Sequence, residues 1–288
     1  MLKPSKTSVS LRRRLSNGLA LSGITLATAI VVVPLILIMG TVAYHGISGL
    51  NWAFFTQMPK PPGETGGGMA NALVGSGMIL MIASAIGIPM GIGTGIFLAE
   101  YGRNAYGDVV RFTADVLNGV PSIVIGLTAW ALVVVTQGHF SAFSGGIALG
   151  IMMIPTVSRT TEEVLLMVPQ SVREAALGLG IPQWRTTLSV VVRTAMSGIV
   201  TGIMLAFARI AGETAPLMFT AFGNQFWSTS FREPVAAVPL QIYVYAISPF
   251  DEWHRLAWTG AFVLILLIAG AMILFRFATS RGIMRETT

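Results

Sequence analysis

Six stretches of this chain stay apolar far longer than a soluble core element requires, and the polar segments between them carry nearly all the charge. The runs cover residues 19–44, 70–99, 112–136, 143–158, 194–219 and 257–278. A helix needs about 20 apolar residues to cross the hydrocarbon core of a bilayer. The fourth run is the shortest, yet it has no charge between Ser144 and Val157. The pattern therefore predicts an all-α integral membrane protein with six transmembrane helices. Pro34 lies inside the first run, where a membrane helix tolerates it as a kink. That run is too long for a leader's apolar region, and no convincing small-residue cleavage pattern precedes the polar loop, so it reads as a retained helix.

Composition agrees. The 288 residues are 53% hydrophobic and 10% charged, against about 25% charge in a soluble domain. Glycine (32 residues) suits membrane helices, because small residues let helices approach closely. The absence of cysteine excludes disulfides, thiol chemistry and Cys-ligated metals. His45, His139 and His254 stand far apart and form no ligand-like spacing.

The net charge of +6 is explained by topology rather than by nucleic acid. With the N-terminus placed in the cytoplasm, the inner side receives Lys3, Lys6, Arg12, Arg13, Arg14, Arg103, Arg111, Arg159, Arg173, Arg185, Arg193, Arg276, Arg281 and Arg285. The outer side receives Lys60, Arg232 and Arg255, and Arg209 alone falls within a span. Positively charged loops stay inside, so the asymmetry predicts both termini in the cytoplasm. The resulting organisation is a cytoplasmic tail (1–18), a first span (19–44), a periplasmic loop (45–69), a membrane core (70–278) and a second cytoplasmic tail (279–288).

Three segments carry candidate chemistry. The outer segment 220–256 holds Phe226, Trp227, Phe231, Tyr243, Tyr245, Phe250 and Trp253 between turns at Pro234, Pro239 and Pro249. It reads either as an interfacial aromatic belt or as a docking surface. The inner loop 159–193 has mixed charge and is broken at Pro169 and at Gly180–Ile181–Pro182. Ser171 and Glu174 have capping-box spacing, which predicts a short helix over 171–179 ended by Gly180. A helix that short is unstable alone, so it packs against this chain or against a partner. In the fifth span Arg209 and Glu213 stand four residues apart, so they share one helix face. Ionised groups at that depth face a bundle interior or a watery path. They either neutralise each other, or form an anion path in which Arg209 is the positive element and Glu213 positions it.

Other classes fare worse. There is no HExxH, GxSxG or GxxxxGK[ST], so the usual signatures of zinc or serine hydrolysis and of ATP binding are missing. An ion-coupled secondary transporter is expected to show internal repeats and interrupted spans, and no convincing repeat is visible.

The stretch Arg173-Glu174-Ala175-Ala176-Leu177-Gly178-Leu179-Gly180 resembles the cytoplasmic loop motif of binding-protein-dependent ABC importers: Glu-Ala-Ala, three residues, Gly. The run Arg209 to Leu217, RIAGETAPL, looks like the signature of the A-type permease of the phosphate importers. The chain departs from the family's usual aliphatic pair followed by Pro: it reads Val190-Val191-Val192-Arg193. The resemblance implies a type I ABC importer permease fold and a heterodimer with a sister permease. It also implies two copies of an ATP-binding subunit, docked on the coupling helix at Arg173, Glu174, Ala175, Ala176, Gly178 and Gly180, and a periplasmic phosphate-binding protein. No cofactor is expected on this chain, ATP being used by the partner subunits, and the expected location is a bacterial or archaeal cell membrane. Importers of other oxyanions, such as sulfate or molybdate, share the loop motif and are the alternative.

Overall fold

The computed structural model describes residues 11–285. Thirteen α-helices occupy the described residues: α1 (Leu11–Ser48), α2 (Trp52–Thr56), α3 (Ala70–Glu100), α4 (Ala105–Gly119), α5 (Ser122–Ala129), α6 (Val135–Gln137), α7 (Ala142–Leu166), α8 (Gln170–Gly178), α9 (Gln183–Thr186), α10 (Val192–Ala211), α11 (Ala215–Thr220), α12 (Val238–Ala246) and α13 (Asp251–Arg285). A π-helical turn at Trp130–Val134 joins α5 to α6, and another at Thr187–Val191 joins α9 to α10. Side chains mark several of the starts. Asn51 caps α2 and Asn104 caps α4, each accepting a backbone N–H through Oδ1, and Ser141 with Ser144 forms a capping box on α7.

The centre of the bundle is the parallel pair α3 and α7. Gly87 lies against Met153, Gly91 against Val157 and Gly95 against Thr161. At each of these positions a Cβ would fall within 2.7 Å of the neighbour, so only glycine permits the approach. α10 runs antiparallel to α7, with Gly198 against Val164 and Gly202 against Thr160. α1 packs antiparallel on α13 through Gly46 and Gly49 and otherwise exposes its apolar surface.

The contacts fix the number of crossings. α3 and α7 both finish at the end of the bundle that gathers Arg103, Arg111, Arg159 and Arg173, called here the basic end. α4 starts at the basic end beside Leu98 and Gly102, whereas α6 leads to Ser141, which meets Thr220 at the far end. The pair α4–α5, bent by 105°, therefore crosses the bundle instead of turning back. With it there are six crossings, and the described ends of α1 and α13 both lie toward the basic end.

Three element expectations need correction. The run 112–136 is not one helix: it breaks at Val120–Pro121, because proline lacks an N–H and disfavours helix at the preceding residue. The run 194–219 also divides, α10 ending at Ala211 and α11 starting at Ala215. The fourth helix extends to Leu166 instead of stopping at 158. Its charged turn stays helical because Arg159 pairs with Glu163 at 3.1 Å and Glu162 meets Arg111 from α4 at 2.6 Å. α1 begins at Leu11 and α13 reaches Arg285, so helix runs on into the segments expected as tails. Lys3, Lys6 and residues 286–288 lie outside the described residues.

The segment 220–256 is largely folded structure. α12 packs on α13, Tyr245 is fully buried, and Trp253 stacks on it at 4.6 Å. Phe226 and Trp227 are exposed.

Candidate functional site

Two interrupted spans meet inside the bundle. α10 ends at Ala211, Gly212 and Glu213 fold back on the carbonyls of Arg209 and Ile210, and α11 restarts with Pro216 in its first turn. Gly126 of α5 faces Pro216 so closely that a Cβ would lie 2.6 Å from the proline Cα. Irregular backbone at membrane depth is tolerated only where protein buries it or it lines a watery cavity, and interrupted helices commonly build transport sites. By its register against α7, Arg209 lies level with Met153, near the middle of that helix.

Arg209 sits in the last turn of α10 and is exposed, and Glu213 is half-buried in the unwound turn beyond it. The continuous-helix expectation fails here: Gly212 ends the helix, so the two no longer share a face. Among the described residues neither side chain has a hydrogen bond or ion pair. Neither mutual neutralisation nor positioning of Arg209 by Glu213 therefore has an ion pair behind it in this structure. One turn nearer the basic end, Thr156 of α7 donates to Asn118 Oδ1 of α4 at 3.1 Å. Both are half-buried, and the sequence reading had passed over them.

At the basic end α8 projects from the bundle. It begins at Gln170 with Pro169 in the capping position and no side-chain cap, so the expected Ser171–Glu174 box does not form. Proline fixes φ near −65°, and Pro169 (φ −56, ψ 140) starts the helix one residue before the serine. The stop falls where expected. Gly180 has φ +78, its N–H bonds Leu177 O at 2.9 Å, and Ile181 N–H bonds Ala176 O at 3.3 Å, a Schellman closure.

The helix divides into two faces. Ala176 is buried and Arg173 points inward, while Glu174, Ala175, Gly178 and Gly180 are exposed. A Cβ on Gly178 would meet nothing within 4 Å. Leu177, Leu179 and Trp184 are also exposed, Leu179 by 81%, which leaves an apolar patch beside the Glu-Ala-Ala run.

Two partly buried ion pairs lie behind that face. Arg173 reaches Glu100 at 2.9 Å and also donates to the carbonyls of Leu165 and Val168. Arg111 bonds Glu162 at 2.6 Å and the carbonyls of Leu98 and Gly102 at 3.0 Å. The pairings of Glu100 with Arg173 and of Arg111 with Glu162 leave no local signal, because the partners lie 73 and 51 residues apart. Arg159, with Glu162 three residues on and Glu163 four, was the local signal.

A six-crossing helical bundle with broken inner spans and a helix projecting from its basic end defines a type I ABC importer permease. Residues 91–283 match the family described as binding-protein-dependent transport system inner membrane component. A phosphate transport system permease protein PstA from Yersinia pestis is 49% identical over 84% of this chain and 82% of its own length. Those from Xylella fastidiosa and Haemophilus influenzae are 48% and 44% identical, over 89% and 91% of this chain and 90% and 94% of theirs. A subunit of the MetNI methionine ABC transporter, solved in inward facing conformations, shares the fold with a TM-score of 0.57 at 16% identity, covering 76% of this chain and 97% of that one. The chain belongs to the binding-protein-dependent transport permeases, in the branch of the PstA phosphate transport permeases.

Proposed function

We propose that this chain and a sister permease form the translocation path of an ATP-driven importer of inorganic phosphate, powered by separate ATPase subunits. The observation that carries the reading is Arg209, an exposed cation near mid-span, beside unwound backbone and with no counter-ion among the described residues. An arginine so placed offers a planar fork of donors to an oxyanion. The names of the relatives favour phosphate over sulfate or molybdate.

The basic end faces the cytoplasm by the positive-inside rule. There the exposed face of α8, with Glu174, Ala175, Gly178 and the leucines beside it, receives an ATPase subunit, and a second copy serves the sister permease. The far end receives phosphate from a periplasmic binding protein. ATP binding draws the α8 helices of the two permeases together and opens the path outward, and hydrolysis reopens it inward. Glu213 keeps the path from becoming too cationic, since a conducting site must also release its ion. Catalysis belongs to the ATPase subunits, which bind the ATP.

Proteoliposomes holding this chain, its sister permease and their ATPase test the reading through ATP-dependent uptake of radiolabelled phosphate from the loaded binding protein. Uptake is expected to require this chain and to resist sulfate and molybdate. Arg209→Lys, which keeps the charge and loses the fork, is expected to lower it about tenfold, the equivalent of one good interaction in the rate-limiting state. An Arg209→Lys complex as active as the parent would remove Arg209 from the path, and failure of an assembled, hydrolysing complex to move phosphate would refute the substrate.

A further inference from the structure

We infer that the buried Arg173–Glu100 pair is the rigid link through which motion of α8 reaches the membrane helices, so that these two residues set how tightly ATP hydrolysis is coupled to transport. The inference rests on the proposed role of α8 as the ATPase-docking helix and adds what fastens it.

α8 has nine residues and buries only Ala176, too little to hold so short a helix. It hangs between Pro169 and the left-handed Gly180. Behind it lies a cleft of about 380 Å³ lined by Ala99, Glu100, Arg103, Val168, Arg173 and Thr186 among others, and the half-buried Val172 adds one apolar contact with the cluster of Leu165, Val168 and Val191. Arg173 spans this gap. Its Nε and Nη2 bond Glu100 Oε1 at 3.1 and 2.9 Å, Nη2 also bonds Leu165 O at 2.8 Å, and Nη1 bonds Val168 O. Arg173 is 13% exposed and Glu100 8%, so water screens the pair little.

The far side of the link is stiff. Glu100 is the last residue of α3 and Leu165 lies in the last turn of α7, the two helices clamped by Gly87, Gly91 and Gly95. Arg111 then joins α4 to both through Glu162 and the Leu98 and Gly102 carbonyls. α4 leads through the break at Pro121 to Gly126, which touches Pro216 beside the unwound turn. The route from α8 to the path is contiguous, and a mechanical role requires a demonstration of coupling.

The test uses Glu100→Ala and the charge-preserving Glu100→Asp, with Glu100→Gln replacing the first should it not assemble. Two quantities are read for each. One is phosphate taken up per ATP hydrolysed by the reconstituted complex. The other is the spin-label distance between Leu179→Cys and Met90→Cys in the permease pair in nanodiscs, this chain having no native cysteine. For Glu100→Ala we expect the uptake ratio to fall about tenfold, within the usual range of coupling free energies, and the distance distribution to broaden. Glu100→Asp is expected to restore both. A changed distance with an unchanged ratio makes the pair merely structural and overturns the inference, as does a lost ratio with an unchanged distance. Should the parent complex carry sulfate or molybdate in place of phosphate, the functional reading fails alone, and the ratio is read with that anion.

Discussion

Arg111 and Arg159 reach the same carboxylate on different terms. Glu162 is 3% exposed, and Arg111, itself 26% exposed, meets it at 2.6 Å while also satisfying two carbonyls. Arg159 is 42% exposed, lies 3.6 Å from the other oxygen, and is better placed on Glu163. Removing one partner of a buried pair strands a charge and costs about 3–5 kcal/mol, whereas an exposed pair contributes about 1 kcal/mol or less. Arg111→Ala should therefore lower the thermal unfolding midpoint of the detergent-purified chain by several degrees, and Arg159→Ala should scarcely move it. Equal shifts would mean that Glu162 is reached by water and needs neither arginine. The Arg159–Glu163 contact was legible, because four residues make one helical turn. The same spacing misled at Arg209 and Glu213, where Gly212 ends the helix between them. Arg111–Glu162 and Arg173–Glu100 link distant parts of the chain, and local pattern carries no trace of such pairs.

Among the elements, the interrupted spans show what apolar continuity hides. A run such as 112–136 is less apolar before its bend, with Asp115 and Asn118, than after it, yet its length reports a crossing and says nothing of direction. Pro121 was the available mark of the break, and Gly212 with Pro216 the mark in the fifth span. α8 was more readily found, since Pro169 and Gly180 bound it, but proline displaced the serine cap. The crossing of the two broken spans depends on Gly126, whose missing side chain admits the Pro216 backbone. Backbone cannot yield as a flexible side chain does, so Gly126→Val should cost about 1–3 kcal/mol of strain. We expect it to reduce phosphate uptake severely while ATPase binding at the basic end persists, as measured by co-purification. Gly93→Val, on α3 with nothing within 4 Å of its Cβ, is the control and should do neither. A Gly126→Val complex with normal uptake would show that α5 and α11 are free to separate during transport.

For the molecule as a whole, the charge asymmetry and the helix contacts give one topology by independent routes. Charge counting assigns the arginine-rich loops to a single side. The contacts place the ends of α3 and α7 together there and carry α4–α5 across to the far end despite the 105° bend. Were that pair to turn back instead, the chain would cross five times and its described ends would lie on opposite sides. The absence of native cysteine allows a direct test with single cysteines at Ala105, His139 and Thr229, all exposed. A membrane-impermeant maleimide applied to intact cells should label His139→Cys and Thr229→Cys together. Ala105→Cys should react only after permeabilisation, and inside-out vesicles should reverse the pattern. Labelling of His139→Cys on the same side as Ala105→Cys would make the bent pair re-entrant and remove the crossing that brings Gly126 to Pro216. Reversal of all three would leave the fold intact and turn the basic end outward, away from any ATPase in the cytoplasm. The expected pattern joins α8 to the compartment that supplies ATP and sets Arg209 between the two aqueous phases.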